Sequence, residues 1–144
     1  MRRIPHRGNM LLVDKIIDET PGQAIVCRKI FDSDEAFFDG HFPGNPIVPG
    51  VIQCECCLQA GAVLLSGGEG DDDDGLLPVA TRLDSVKFKK MVRPGDVVDI
   101  TVTLNETVSN AYYLTGKLTV GGKIAARLDF TVTLSPKPES SQTA

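Results

Sequence analysis

Residues 50 to 66, GVIQCECCLQAGAVLLS, restrict the fold more than any other stretch, because they can run as a helix of about four turns that is apolar almost all round. At about 100° per residue from Val51, Cys54, Leu58, Ala62 and Leu65 gather on one stripe. The opposite side offers Cys56, Cys57, Ala60, Val63 and Leu64, with Gln53 as its polar interruption. A helix of this kind needs cover on most sides, and a long antiparallel sheet curled around it supplies that cover. The expected class is therefore α+β, with one long central α-helix wrapped by a curled antiparallel β-sheet.

The flanking sequence provides the strands. Leu11 to Ile17 and Gln23 to Phe31 read as a first hairpin across the turn signal Glu19-Thr20-Pro21-Gly22. After the helix the period changes to two: Val86 and Phe88 alternate with Lys87 and Lys89, and Val98, Ile100, Val102 and Leu104 alternate with polar residues. Ala111 to Val120, Gly121-Gly122, and the alternating Ile124, Ala126, Leu128, Phe130, Val132 and Leu134 predict a long closing hairpin. Between the helix and these strands, GGEGDDDDG reads as a solvated, mobile loop. Residues 1–134 are expected to form a single domain, and the polar, proline-bearing residues 135–144 a disordered tail.

One residue is out of place on this helix. Glu55 falls inside the Val51 stripe, and a carboxylate there must be paired, hydrogen-bonded or held protonated. A structural hydrogen bond to Gln59, one turn on, would satisfy it equally well. The segment in front, GHFPGNPIVPG, carries three prolines that remove backbone freedom, and it leads into a helix start, where free N–H groups suit a developing oxyanion. Gly50 offers such an amide without a side chain, and His41, one of two histidines, has the ordinary basicity to take a proton near neutral pH.

Composition narrows the remaining classes. With 42% hydrophobic and 24% charged residues and no apolar run near about 20 residues, a soluble protein is expected and a membrane span is not. The start MRRIPHRGNMLLVD lacks the apolar core of a signal peptide, so a cytoplasmic location is expected. Cys27, Cys54, Cys56 and Cys57 then read as reduced, buried thiols and not as a metal site, because neighbouring helical positions point in different directions. A net charge of −4 argues against nucleic acid as a partner. Bases nevertheless cluster at Arg2 and Arg3 and at Lys87, Lys89, Lys90 and Arg93, either as solvated strand positions or as a patch for an acidic partner.

GHFPGNPIVPGVIQCECCLQAG resembles the active-site segment of the bacterial 3-hydroxyacyl-acyl-carrier-protein dehydratases, the FabZ/FabA group of hot-dog-fold proteins. IPHRGNMLLVDKIID and LDSVKFKKMVRPGD resemble other parts of the same group, so the likeness covers most of the chain. The resemblance implies a hot-dog fold and a homodimer with two sites at its interface, and assembly of three such dimers into a hexamer is compatible with it. It implies that His41 removes a proton from C2 of a (3R)-3-hydroxyacyl thioester while Glu55 of the other subunit protonates the departing hydroxyl. The Gly50 amide would polarise the thioester carbonyl, the Ile47 carbonyl would steady the imidazole, and Gln59 would position the acid.

No cofactor is implied beyond the phosphopantetheine arm of the acyl carrier protein that delivers the substrate, and that acidic protein is the partner the basic cluster would meet. Glutamate at the acid position resembles the branch that dehydrates in fatty-acid biosynthesis without isomerising. Asn45 stands where many relatives have a second histidine, and GLLPVATRL offers aliphatics where an aromatic gate is common. The alternatives from the residues alone are a thioesterase of the same fold and a non-catalytic acyl-binding subunit.

Overall fold

Alternation of apolar and polar residues builds a sheet whose inward rows can be followed strand by strand. The structure, a computed structural model, describes residues 11–32, 46–66 and 76–136. The elements are β1 (Lys15–Thr20), β2 (Ala24–Ile30), α1 (Gly50–Leu65), β3 (Leu76–Phe88), β4 (Val97–Val108), β5 (Ala111–Val120) and β6 (Lys123–Pro136). All six strands form one curled antiparallel sheet in the order β1-β2-β4-β5-β6-β3. Cys27 lies opposite Ile100, Ile100 opposite Leu118, and Leu118 opposite Ala126, so a single buried row crosses four strands. The helix α1 packs on this inward face, mainly against β4, β5 and β2. This is the hot-dog arrangement expected from the sequence.

The helix presents the other side to the sheet. Gln53, Cys56, Cys57, Ala60, Val63 and Leu64 are buried; of the stripe drawn from the sequence Cys54 and Ala62 are buried too, whereas Val51 at its centre is 75% exposed and Glu55, Leu58 and Leu65 are half-buried. Both faces are apolar, so hydrophobicity does not decide between them; close approach does. A Cβ on Gly61 would lie 2.9 Å from two carbons of the Phe130 ring, and the hydrogen in its place lets helix and sheet meet. We expect Gly61→Ala to destabilise the fold by up to about 2 kcal/mol, overpacking of about 1–3 kcal/mol being partly offset by alanine's better helix propensity. A lower urea midpoint at constant m would show it, and a raised midpoint would contradict the tight contact.

Strand boundaries also differ from the sequence reading. Leu12 and Val13 are buried but precede β1, because the Leu12 N–H is committed to the Gln59 side chain and not to a strand partner. In β6 the pairing register shifts beside Leu118 and Thr119, so Ala125 and Ala126 are both buried and Ile124 falls out of the inward row. That bulge breaks the alternation expected to run unbroken from Ile124. β3 begins ten residues before Val86, at Leu76, and β6 continues through Ser135 and Pro136, past the expected domain end at 134, because Leu76 and Leu77 pair with them. The rest of the expected tail, 137–144, and the acidic loop up to residue 75 lie outside the described residues.

None of the four cysteines is in a disulfide, and all four are buried. Burial pushes the Cys57 thiol well above its ordinary range, with further upward pushes from Cys56 and Cys54, and burial also raises Cys54. Burial thus favours the neutral thiol at Cys57 and Cys54 and lowers their reactivity as nucleophiles. Among the described residues no helix is long and apolar enough to cross a membrane.

Candidate active site

The segment before α1 is anchored at Val48 through both of its backbone polar groups. The Val48 N–H donates to the Val92 carbonyl at 2.7 Å, and Gln53 Nε2 donates back to the Val48 carbonyl at 3.3 Å. The other polar atom of that side chain, Gln53 Oε1, is buried without a hydrogen-bond partner among the described residues. Pro49 caps the helix by position only: its carbonyl accepts from the Ile52 and Gln53 N–H groups, and no side chain caps the start. Gly50 is the first helical residue, and a Cβ there would lie 2.8 Å from Phe88 Cζ. The Phe88 ring, 52% exposed, thus lies against the helix start just where the Gly50 amide begins the helix dipole. Sequence reading assigned Phe88 only to a strand.

Glu55 is hydrogen-bonded, as the burial argument requires. Gln59 Nε2 donates to Glu55 Oε2 at 3.0 Å, and Gln59 Oε1 accepts the Leu12 N–H at 2.8 Å. Gln59 is completely buried, so its amide is fixed at both ends and holds the carboxylate in one orientation. The structural hydrogen bond considered for Glu55 therefore exists, and it is also what a positioned acid needs. We expect Gln59→Met to cost about 1–3 kcal/mol, the penalty of leaving the buried Leu12 N–H without an acceptor. Chemical denaturation measures that loss, and an unchanged midpoint would argue against the bridge.

Beside the carboxylate is a cavity of about 120 Å³ lined by Glu55, Leu58, Gln59 and Ala62 of α1, Pro78 and Ala80 of β3, and Val132 of β6. The helical members follow the spacing i, i+3, i+4, i+7 from Glu55, a signal that was available in the sequence. The strand members were not, because only the pairing of Ala80 with Val132 brings them to one place. Glu55 and Gln59 are its polar side chains, and the other lining side chains are aliphatic.

The basic cluster is partly described. Lys87 ends the outward row of β3, and Lys89, Lys90 and Arg93 follow it on exposed positions. Pairing adds two cations that sequence spacing did not reveal: Lys87 lies opposite Arg127, and Arg127 opposite Lys117. Arg127 is engaged by Asp129 at 3.3 Å. His41, Arg2 and Arg3 lie outside the described residues, while Ile47 lies in the segment immediately before α1.

Among the described residues, one helix packs in a curled sheet, and a carboxyl group held by Gln59 lines a cavity whose other side chains are aliphatic. The family model described as a FabA-like domain matches residues 4–129, and the chain belongs to that family. It is 39% identical over 139 residues to a protein of Caulobacter sp. (strain K31) named 3-hydroxyacyl-acyl-carrier-protein dehydratase FabZ, covering 96% of this chain and 85% of that one. Proteins of the same name from Caulobacter vibrioides (strain NA1000 / CB15N) and Oenococcus oeni are 42% and 40% identical, over 90% and 88% of this chain and 82% and 89% of theirs. Among solved structures, the dehydratase heterocomplex ApeI:P from Xenorhabdus doucetiae superposes with a TM-score of 0.78 at 18% identity, covering 99% of this chain and 92% of that one. That likeness is one of fold.

Proposed function

We propose that this protein dehydrates (3R)-3-hydroxyacyl thioesters carried on acyl carrier protein to trans-2-enoyl thioesters in fatty-acid biosynthesis, without isomerising the product. The observation that carries the reading is Glu55, held by Gln59 in a cavity whose other lining side chains are aliphatic, in a chain of the FabA-like family. His41 takes the C2 proton, and Glu55 gives its proton to the 3-hydroxyl, which leaves as water while the C2–C3 double bond forms. The charge that spreads onto the thioester oxygen meets the Gly50 amide at the uncapped helix start, an interaction typically worth about 3–4 kcal/mol. The Ile47 carbonyl steadies the imidazole and Gln59 the carboxylate. Each proton moves between groups the chain supplies itself, so the reaction calls for no metal or prosthetic group.

The reading includes a homodimer in which His41 of one subunit serves Glu55 of the other, with a hexamer as the larger assembly. The edge strand β3 supports it: thirteen residues long and paired on one side by β6, it leaves Leu83 45% exposed, with Leu76, Val79, Val86 and Phe88 also exposed. An apolar edge of that length invites pairing with another strand. Lys87, Lys89, Lys90 and Arg93, with Arg2 and Arg3, form the patch for the acidic carrier protein, and Arg127 extends it. Four buried cysteines outside any disulfide support a reducing compartment, the cytoplasm.

Incubation with 3-hydroxyacyl and 2-enoyl thioesters tests the function. A reversible change in enoyl absorbance is the expected result. Release of free thiol would make the protein a thioesterase, and no change with either substrate would make it an acyl-binding subunit.

A further inference from the structure

Between β3 and β4, Arg93-Pro94-Gly95-Asp96 makes a tight turn closed by two hydrogen bonds. The Asp96 N–H donates to the Arg93 carbonyl at 3.1 Å, and the Arg93 N–H donates to Asp96 Oδ2 at 2.8 Å. Pro94 takes the second position and Gly95 the third, where φ is +90°, as a type II turn demands. A Cβ on Gly95 would meet nothing within 4 Å, so glycine serves the backbone angle alone.

Backbone bonds run from this turn to residues on either side of His41 in the chain. Before it, Phe31 is paired twice: the Gly95 N–H donates to its carbonyl at 2.6 Å, and its own N–H donates to the Asp96 carbonyl at 3.2 Å. After it, the Val48 N–H donates at 2.7 Å to the carbonyl of Val92, the residue next to the turn. Phe31, Val48 and Val92 are all buried, so breaking any of these bonds leaves a buried polar group unpaired. The Val48 bond also sets a direction. The Val48 N–H and the Ile47 carbonyl belong to one planar trans peptide and point opposite ways, so holding the first on Val92 aims the second away from it.

We propose that Val92, Gly95 and Asp96 are positioning residues for the base: they fix the chain on either side of His41 and aim the Ile47 carbonyl that steadies its imidazole. The proposal rests on the dehydratase reading. In this role the turn touches no reacting atom and acts through Phe31 and the Ile47–Val48 peptide.

Steady-state hydration of an enoyl thioester by the full chain tests it, with Gly95→Ala, Gly95→Asn and Gly22→Ala compared well below their unfolding temperatures. Alanine is strained at φ +90°, so the turn relaxes and shifts what it holds. For Gly95→Ala, kcat is expected to fall about 10²-fold, the cost of misplacing a reacting group by about 1 Å, while KM stays level. Asparagine tolerates positive φ and should recover most of the rate. Gly22, at φ +73° in the hairpin at the other end of β2 and likewise open around its Cα, is the control. Its alanine variant carries similar strain and a similar fall in Tm but should keep full kcat. Should Gly95→Ala fail to fold, Asp96→Ala removes the acceptor of the Arg93 N–H and should lower kcat, with Asp96→Asn restoring it. Full kcat in a folded Gly95→Ala, or in Asp96→Ala where the former does not fold, overturns the positioning role. So does an equal loss in Gly22→Ala, or asparagine no better than alanine at position 95. Absence of turnover by the unaltered chain overturns the dehydratase reading instead.

Discussion

Glu55→Gln is expected to lower turnover by a factor of about 10² to 10⁴, the usual contribution of a positioned acid, while the fold and its assembly persist. The substitution keeps the size of the side chain and an oxygen that can accept from Gln59 Nε2, so the bridge to Leu12 survives. What it removes is the proton given to the departing hydroxyl. If the only task of Glu55 were its hydrogen bond to Gln59, the glutamine variant would remain active, and full activity would sink the assignment. Stability should stay level or rise, because a half-buried carboxyl group is replaced by a neutral amide. Thermal unfolding and turnover measured on the same preparation separate the two roles.

Mixing two inactive variants should restore activity. If His41 serves the Glu55 of its partner, His41→Ala and Glu55→Gln subunits each fail alone. A mixed dimer, however, pairs the intact His41 of one subunit with the intact Glu55 of the other in one of its two sites. Random exchange makes half the dimers mixed, so activity should return to about a quarter of the wild-type level. Leu83→Lys places a charge on the exposed β3 edge and should prevent that recovery by holding the chains apart, a change seen directly as a fall in mass by light scattering. If both inactive variants stay inactive after subunit exchange is verified, each site is confined to one chain.

How much of this could be read from residues depends on the kind of signal each element carries. α1, β4 and β5 follow from apolar periodicity: Gly50–Leu65 and Ala111–Val120 match the stretches read from the sequence, while β4, Val97–Val108, runs four residues past the alternation that ends at Leu104. The early part of β3, LLPVATRLDS, has no such alternation because it is an edge strand with much of its length exposed. The orientation of α1 is not written in hydrophobicity either. It depends on where Gly61 admits Phe130 and where Gly116 leaves room for Cys57, contacts between residues more than fifty positions apart. Glu55 was conspicuous from its place on an apolar stripe, and Gln59 from its spacing. Their hold on Leu12 and the strand walls of the cavity are products of tertiary pairing that no local pattern encodes.

The bridge through Gln59 ties the acid to the order in which the chain is made. The Leu12 amide that fixes Gln59 belongs to a segment synthesised well before α1, so its partner is already present when the helix emerges. A chain whose first segment has come loose, through nicking or partial unfolding, loses the anchor that aims Glu55 while the helix itself remains. Integrity of the amino-terminal segment and competence of the proton donor are thus read by the same side-chain amide.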